Sequence, residues 1–142
     1  MSGMLVVLDT SVLVAAARSR RGASFELLSR VGGGEFDIAV SVPLVLEYES
    51  VLLRHLAASS LSAEDVRDLV DYICAVAIRQ EVFFLWRPQL KDAGDDLVLE
   101  LAVAANCDAI ITHNIRDFRG ASTFRIEVLT PGEFLTQLRS PK

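Results

Sequence analysis

Acidic residues stand at four points of this chain: Asp9 closes the run MLVVLD, Glu47 lies in PLVLEYE, Asp95 and Asp96 open DDLVLELA, and Asp117 follows AIITHNIR. An alternating strand and helix pattern would bring those points to one end of a sheet. Carboxylates alone offer only hard oxygen donors, which suit Mg²⁺ or Mn²⁺. Such ions held at an open-sheet crevice most often serve phosphoryl chemistry, so the pattern points to a metal-dependent nuclease. Four carboxylates within about 5 Å would repel pairwise by roughly 3 kcal/mol at an effective dielectric of about 20, which a divalent cation offsets. One ion lowers the pKa of a bound water and orients the scissile phosphate, and a second, roughly 4 Å away, steadies the leaving oxygen. No nucleophilic Ser or Cys is needed.

Each acid also has a purely structural use. Asp9, followed by Thr10 and Ser11, could cap a helix, and so could Asp95 or Asp96. Glu47 could snorkel from an apolar face or pair with Arg54, and Asp117 could be a solvated loop residue. Thr10 and Ser11 would position water or phosphate, or else cap. His113 reads as a surface loop residue rather than a proton shuttle, and Trp86 beside Arg87 reads as packing rather than base stacking. The joint pattern carries more weight than any one position.

The elements that must hold these groups follow from hydrophobic periodicity. Leu5–Leu8 is an unbroken apolar run, a strand buried on both faces. A helix from Ser11 or Val12 to about Ala17 follows, then a short one over Ser24–Val31 stopped by Gly32, Gly33 and Gly34, then a strand over Phe36–Ser41. Pro43 fits a first helical turn, and Ser62 with Asp65 forms a variant capping box, so two helices between Pro43 and Gln80 form a hairpin. A third strand is expected over Val82–Leu85, a helix from Asp95 or Asp96 to Ala105, a fourth strand over Ala109–Thr112 and an edge strand over Arg125–Leu129. Thr130, Pro131 and Glu133 start a capped final helix. Strands separated by helices imply right-handed crossovers, a mostly parallel sheet and helices on both faces: an α/β fold, a three-layer α/β/α sandwich. Ligands bind beyond the carboxyl ends of such strands.

The chain's 142 residues, 51% of them hydrophobic, suit a single domain over 1–142 with one well-filled core. Charges interrupt every apolar stretch, so no membrane span is expected. The first apolar run precedes the basic cluster, the reverse of a secretory signal. Cys74 and Cys107 show no metal or redox spacing, which fits a reducing cytoplasm. A net charge of -5 argues against gripping nucleic acid through broad positive potential. Arg18, Arg20, Arg21, Arg116, Arg119 and Arg125 nevertheless fall near the acidic loops, where they could meet phosphates.

The segments LVVLDTSVLV (5–14), SVPLVLEYESVL (41–52), DDLVLELAVAANCDAIITHN (95–114) and RDF (116–118) together resemble the PIN-domain family, most specifically in the first and third. The resemblance looks closest to ribonuclease toxins of toxin–antitoxin pairs. It implies a PIN-like sandwich, one or two Mg²⁺ or Mn²⁺ ions, hydrolysis of single-stranded RNA, a small antitoxin partner laid into the acidic groove, and a homodimer. By position it implies Asp9, Glu47, Asp96 and Asp117 as metal-holding and catalytic acids, Asp96 standing at the better distance from the LAVAA run, with Asp95 an additional metal-holding carboxylate beside it that spacing alone does not separate from it, and with Thr10 or Ser11 as the hydroxyl beside the first. Where many relatives carry an aspartate after the fourth strand this chain has Asn114, which can coordinate or orient water but brings no charge. Two other functions compete. A non-catalytic RNA- or protein-binding module would keep the sandwich with its acids displaced. A phosphatase acting through an aspartyl intermediate at Asp9 would require a DxD signature, and position 11 is Ser11.

Overall fold

The computed structural model describes residues 3–82 and 93–139. In chain order these form β1 (Met4–Leu8), α1 (Thr10–Arg18), α2 (Ala23–Ser29), β2 (Phe36–Val40), α3 (Val42–Arg54), a 3₁₀ turn (Leu56–Ala58), α4 (Ala63–Val76), β3 (Ile78–Arg79), α5 (Ala93–Ala104), β4 (Ala109–Ile111), a 3₁₀ segment (Ile115–Phe124), β5 (Glu127–Leu129) and α6 (Pro131–Arg139). The strands make one sheet of order β3-β2-β1-β4-β5 in which every pairing is parallel. Val6, Val7, Leu8, Ile110 and Ile111 have no exposed surface, as continuous apolar strands covered on both faces require.

Connections β1→β2→β3 step one way along the sheet, whereas β3→β4→β5 step the other. With right-handed crossovers, α1 to α4 therefore cover one face, while α5 and the long 3₁₀ segment cover the other. In keeping with this, α5 packs across β1, β2 and β4 and against the 3₁₀ segment. α6 returns to pack on α2, and its Phe134 meets Phe36 of β2 edge to face at 5.1 Å. The result is a three-layer α/β/α sandwich whose chain direction reverses between β1 and β4. A crevice must open there, beyond the carboxyl ends of those two strands.

Local signals act as expected at most helix ends. Ser62 accepts from Asp65 N while Asp65 accepts from Ser62 N, and Thr130 and Glu133 exchange the same pair of bonds. α3 and α4 pack against one another as a hairpin. Gly32 adopts φ 86, and a Cβ there would collide with the Tyr72 hydroxyl, which donates to Val31 O at 2.7 Å.

The edge strand begins at Glu127 rather than Arg125, which instead caps the 3₁₀ segment, and three further expectations change. α2 ends at Ser29, short of Val31, because Arg30 already closes the last turn. The third strand is Ile78–Arg79, and Val82 lies in no strand, while Phe83–Leu85 fall outside the described residues, as do Trp86 and Arg87. Both β3 residues are exposed, so hydropathy carried no sign of them; backbone pairing with Ala39 and Val40 places the strand directly after α4. α5 begins at Ala93, which puts Asp95 and Asp96 inside its first turn rather than at a capping position. There they face the positive end of the helix dipole.

Candidate active site

The polypeptide leaves β1 at Leu8 and turns into α1 at Thr10, so Asp9 sits at the N-cap position with extended φ/ψ of -67° and 148°. Its side chain makes no capping bond. Instead Oδ2 accepts from Ser11 Oγ and from Thr112 Oγ1, each at 2.7 Å, and no donor among the described residues meets Oδ1. The carboxylate is 6% exposed, and Thr112 is fully buried. Asp9 is therefore turned from a local capping role to a bond across the gap between β1 and β4.

Thr112 holds the arrangement from the other side. Its hydroxyl donates to Asp9 and accepts from Asn114 N at 2.9 Å, while its own N–H donates to Leu129 O. Ser11 Oγ accepts from His113 N at 3.2 Å. His113 is exposed, as a surface loop residue should be, yet its Nε2 lies 2.6 Å from the hydroxyl of buried Ser24, which anchors the ring to α2. Thr112→Val keeps the shape but strips the Asn114 N–H of its acceptor and Asp9 of one donor. It is expected to cost about 1–3 kcal/mol of stability, with Thr112→Ser recovering most of it; equal denaturation midpoints for wild type and Thr112→Val would contradict this bonding.

Glu47 reaches the same place through its neighbour. Tyr48 is buried to 1% exposure and its hydroxyl donates to Leu8 O, pinning α3 to the end of β1. Burial first, and the Asp9 charge second, push the Tyr48 phenol far above its ordinary range, so it stays a donor. Glu47 is thereby carried to the crevice, and no ion pair with Arg54 forms.

These groups line one open cleft of about 640 Å³. Asp9, Thr10 and Ser11, Glu47, Asp95, and then His113, Asn114 and Asp117 contribute to its walls, together with Arg18. Asp96 lies one position further round α5 and is not among the lining residues. Exposed Arg20 and Arg21 follow Arg18 in the loop after α1. Arg116, Arg119 and Arg125 instead border a separate depression.

The donor set is oxygen only and suits Mg²⁺ or Mn²⁺ in chemistry. Among the described residues no cation lies within salt-bridge distance of Asp9, Glu47 or Asp117. Nor do three or more carboxylate, thiol or imidazole groups there converge tightly enough to hold an ion. The acids thus surround a shared cleft without forming a closed cage. The side chains suit a hard divalent ion in donor type.

Sequence reasoning missed Thr112 and Tyr48. A hydroxyl ending the apolar run AII, and a tyrosine directly after a glutamate on an apolar helix, were the available signs. A family model for the PIN domain matches residues 5–116. No curated protein matches the chain.

Proposed function

The chain belongs to the PIN-domain family, whose members are typically metal-dependent nucleases, and from that premise we propose that it is an endoribonuclease hydrolysing phosphodiester bonds of single-stranded RNA, acting as the toxin of a toxin–antitoxin pair. The observation that carries this reading is the gathering of Asp9, Glu47, Asp95 and Asp117 on one cleft at the point where the sheet reverses direction.

In this reading Asp9, Glu47, Asp117 and Asp95 or Asp96 hold one or two Mg²⁺ or Mn²⁺ ions. When bound, the ion supplies Lewis acidity at the phosphate and a water of lowered pKa. Ser11 and Thr112 donate to Oδ2 of Asp9, which leaves Oδ1 as the oxygen for the ion. The Asn114 carboxamide and the Thr10 and Ser11 hydroxyls orient water or a phosphate oxygen. Arg18, Arg20 and Arg21 meet the RNA backbone beside the cleft.

With a labelled single-stranded RNA, cleavage is expected with Mg²⁺ or Mn²⁺, to stop with chelator and to return when the ion is restored. At an ion concentration about 100 times its Kd, binding to the folded state alone should add roughly 2.7 kcal/mol of stability, read as a rise in melting temperature. A second reading, a non-catalytic binding module, draws on the uncharged Asn114 and the absence of a closed ligand group among the described residues. RNA binding without cleavage under any divalent ion would favour it.

The proposal extends to partners. Val42, Leu46 and Ile78 leave 69%, 59% and 45% of their surface exposed along the hairpin and the adjoining sheet edge, an apolar strip suited to a second copy of the chain. A small antitoxin would lay an extended or helical segment into the acidic cleft, with an arginine against the carboxylates. Cys74 and Cys107 are both unbridged, in keeping with a protein that works in a reducing cytoplasm, and burial followed by the Asp108 charge pushes the Cys107 thiol up to about 12, which keeps it protonated and inert. No helix among the described residues is long and apolar enough to cross a membrane.

A further inference from the structure

The 3₁₀ segment Ile115–Phe124 is a partition. Asp117 lines the acidic cleft on one side, whereas its neighbours Arg116 and Arg119 line a depression of about 580 Å³ on the other, which Arg125 closes from the far end of the segment. Ile126 and Val128 add apolar lining, and Glu127 is the single carboxylate at the rim. Among the described residues none of the three arginines has a carboxylate within 4.0 Å, although Arg30 and Arg139 are both paired with glutamate. A protein of net charge -5 thus keeps three unneutralised guanidinium groups around one hollow. Guanidinium forks match phosphate oxygens in pairs. Arg125 is moreover held at φ 62, the left-handed region that glycine favours, fixed there by its N–H bonding to Ala121 O and Ser122 O.

We propose that this arginine-lined depression is a phosphate subsite that grips the RNA strand outside the cleft, on the far side of the partition from the scissile bond. It rests on the ribonuclease reading above. The shared wall favours RNA over a separate ligand, because a strand with one phosphate facing Asp9 can cross that wall and present a following phosphate to Arg116, Arg119 and Arg125. An overall acidic protein gains through it a local positive foothold for a polyanion. The apolar residues beneath give a sugar or base face something to rest on.

The test measures binding in chelator, so that hydrolysis does not enter, using a short labelled oligoribonucleotide that fills only the cleft and a longer one that spans the partition. The variant is R116Q/R119Q/R125N, since asparagine tolerates the left-handed backbone at 125, with R67Q on the exposed face of α4 as control. Unchanged circular dichroism and melting temperature establish that it folds. For the longer RNA the triple variant should bind about tenfold more weakly or worse at low salt, and the slope of log affinity against log salt should fall by about 2, since each single-strand phosphate contact contributes about 0.7. The short RNA and the R67Q control should be unaffected.

Equal affinity and slope in wild type and triple variant would overturn the subsite. Binding of inorganic phosphate or a mononucleotide that depends on the arginines, with long-RNA binding unaffected, would make it a free-anion site and overturn it equally. So would loss of poly-glutamate binding alone, which would assign the patch to an acidic protein. A protein that cleaves RNA but ignores these arginines sinks the subsite only; one that binds RNA through them but fails to cleave it under any divalent ion sinks the nuclease reading only.

Discussion

Asp9→Asn is expected to reduce metal-dependent cleavage of single-stranded RNA about 10³-fold, roughly 4 kcal/mol of transition-state stabilisation, while the protein melts within a few degrees of wild type. The two halves have separate causes. An amide oxygen can take the place of Oδ2 and accept from Ser11 and Thr112 at the same 2.7 Å spacing, so the bond across the gap between β1 and β4 survives. What disappears is the negative charge, and with it the group best placed to hold a divalent cation at the switch point. Both hydroxyl donors to Oδ2 are kept by an amide oxygen, so the change costs the fold little. Undiminished cleavage by a folded Asp9→Asn protein would falsify the assigned role. The pair Asp95→Asn and Asp96→Asn, measured side by side, then separates two adjacent acids of which Asp95 lines the cleft; the greater loss is expected at Asp95.

Phe134→Ala should do the opposite, removing stability while leaving the turnover of the folded molecule unchanged. Phe134 has no exposed surface and its ring stands at 89° to that of Phe36, centroid to centroid 5.1 Å. Truncation forfeits the buried area, leaves a cavity and breaks an edge-to-face pair, which together cost about 3–5 kcal/mol. For a domain of this size that corresponds to roughly 10 °C or more in melting temperature. Phe36 opens β2, pairing with Met4 at the amino end of the sheet, whereas the acidic cleft lies beyond the carboxyl ends. A melting temperature within a few degrees of wild type would show that the Phe134–Phe36 contact does not hold α6 to the sheet, and a large fall in turnover at a temperature where the variant is folded would show that the two ends of the sheet are coupled.

Much of this architecture was readable one residue at a time. The strands around Val6–Leu8, Ile38–Val40 and Ala109–Ile111 announce themselves because both faces are covered, which demands unbroken apolar runs. The caps at Ser62 and Thr130 were equally visible, since a hydroxyl and an acid three residues apart satisfy each other within one turn. β3 was not: its two residues are exposed, and a strand that short is defined by backbone bonds to a neighbour rather than by its side chains. The 3₁₀ segment after Asn114 was not foreseen either: it buries only Phe118 and Ala121 and is kinked at Phe118, too little for a regular helix to be read from.

The acids themselves follow the same division. That Asp9, Asp95, Asp96 and Asp117 stand where regular elements end or begin, and Glu47 within a helix, is a property of the sequence, because propensity and periodicity act over a few residues. Which of them share a cleft is not. That depends on the parallel order β3-β2-β1-β4-β5, which sets Leu8 beside Ile111, and on bonds spanning up to 103 positions, Thr112 to Asp9 and Tyr48 to Leu8. The same long-range packing parted the arginines, leaving Arg18 on the acidic cleft and sending Arg116, Arg119 and Arg125 to the far side of a wall that no local pattern could place. Local chemistry chose the residue types; only the sheet, by joining chain segments a hundred residues apart, decided which of them meet.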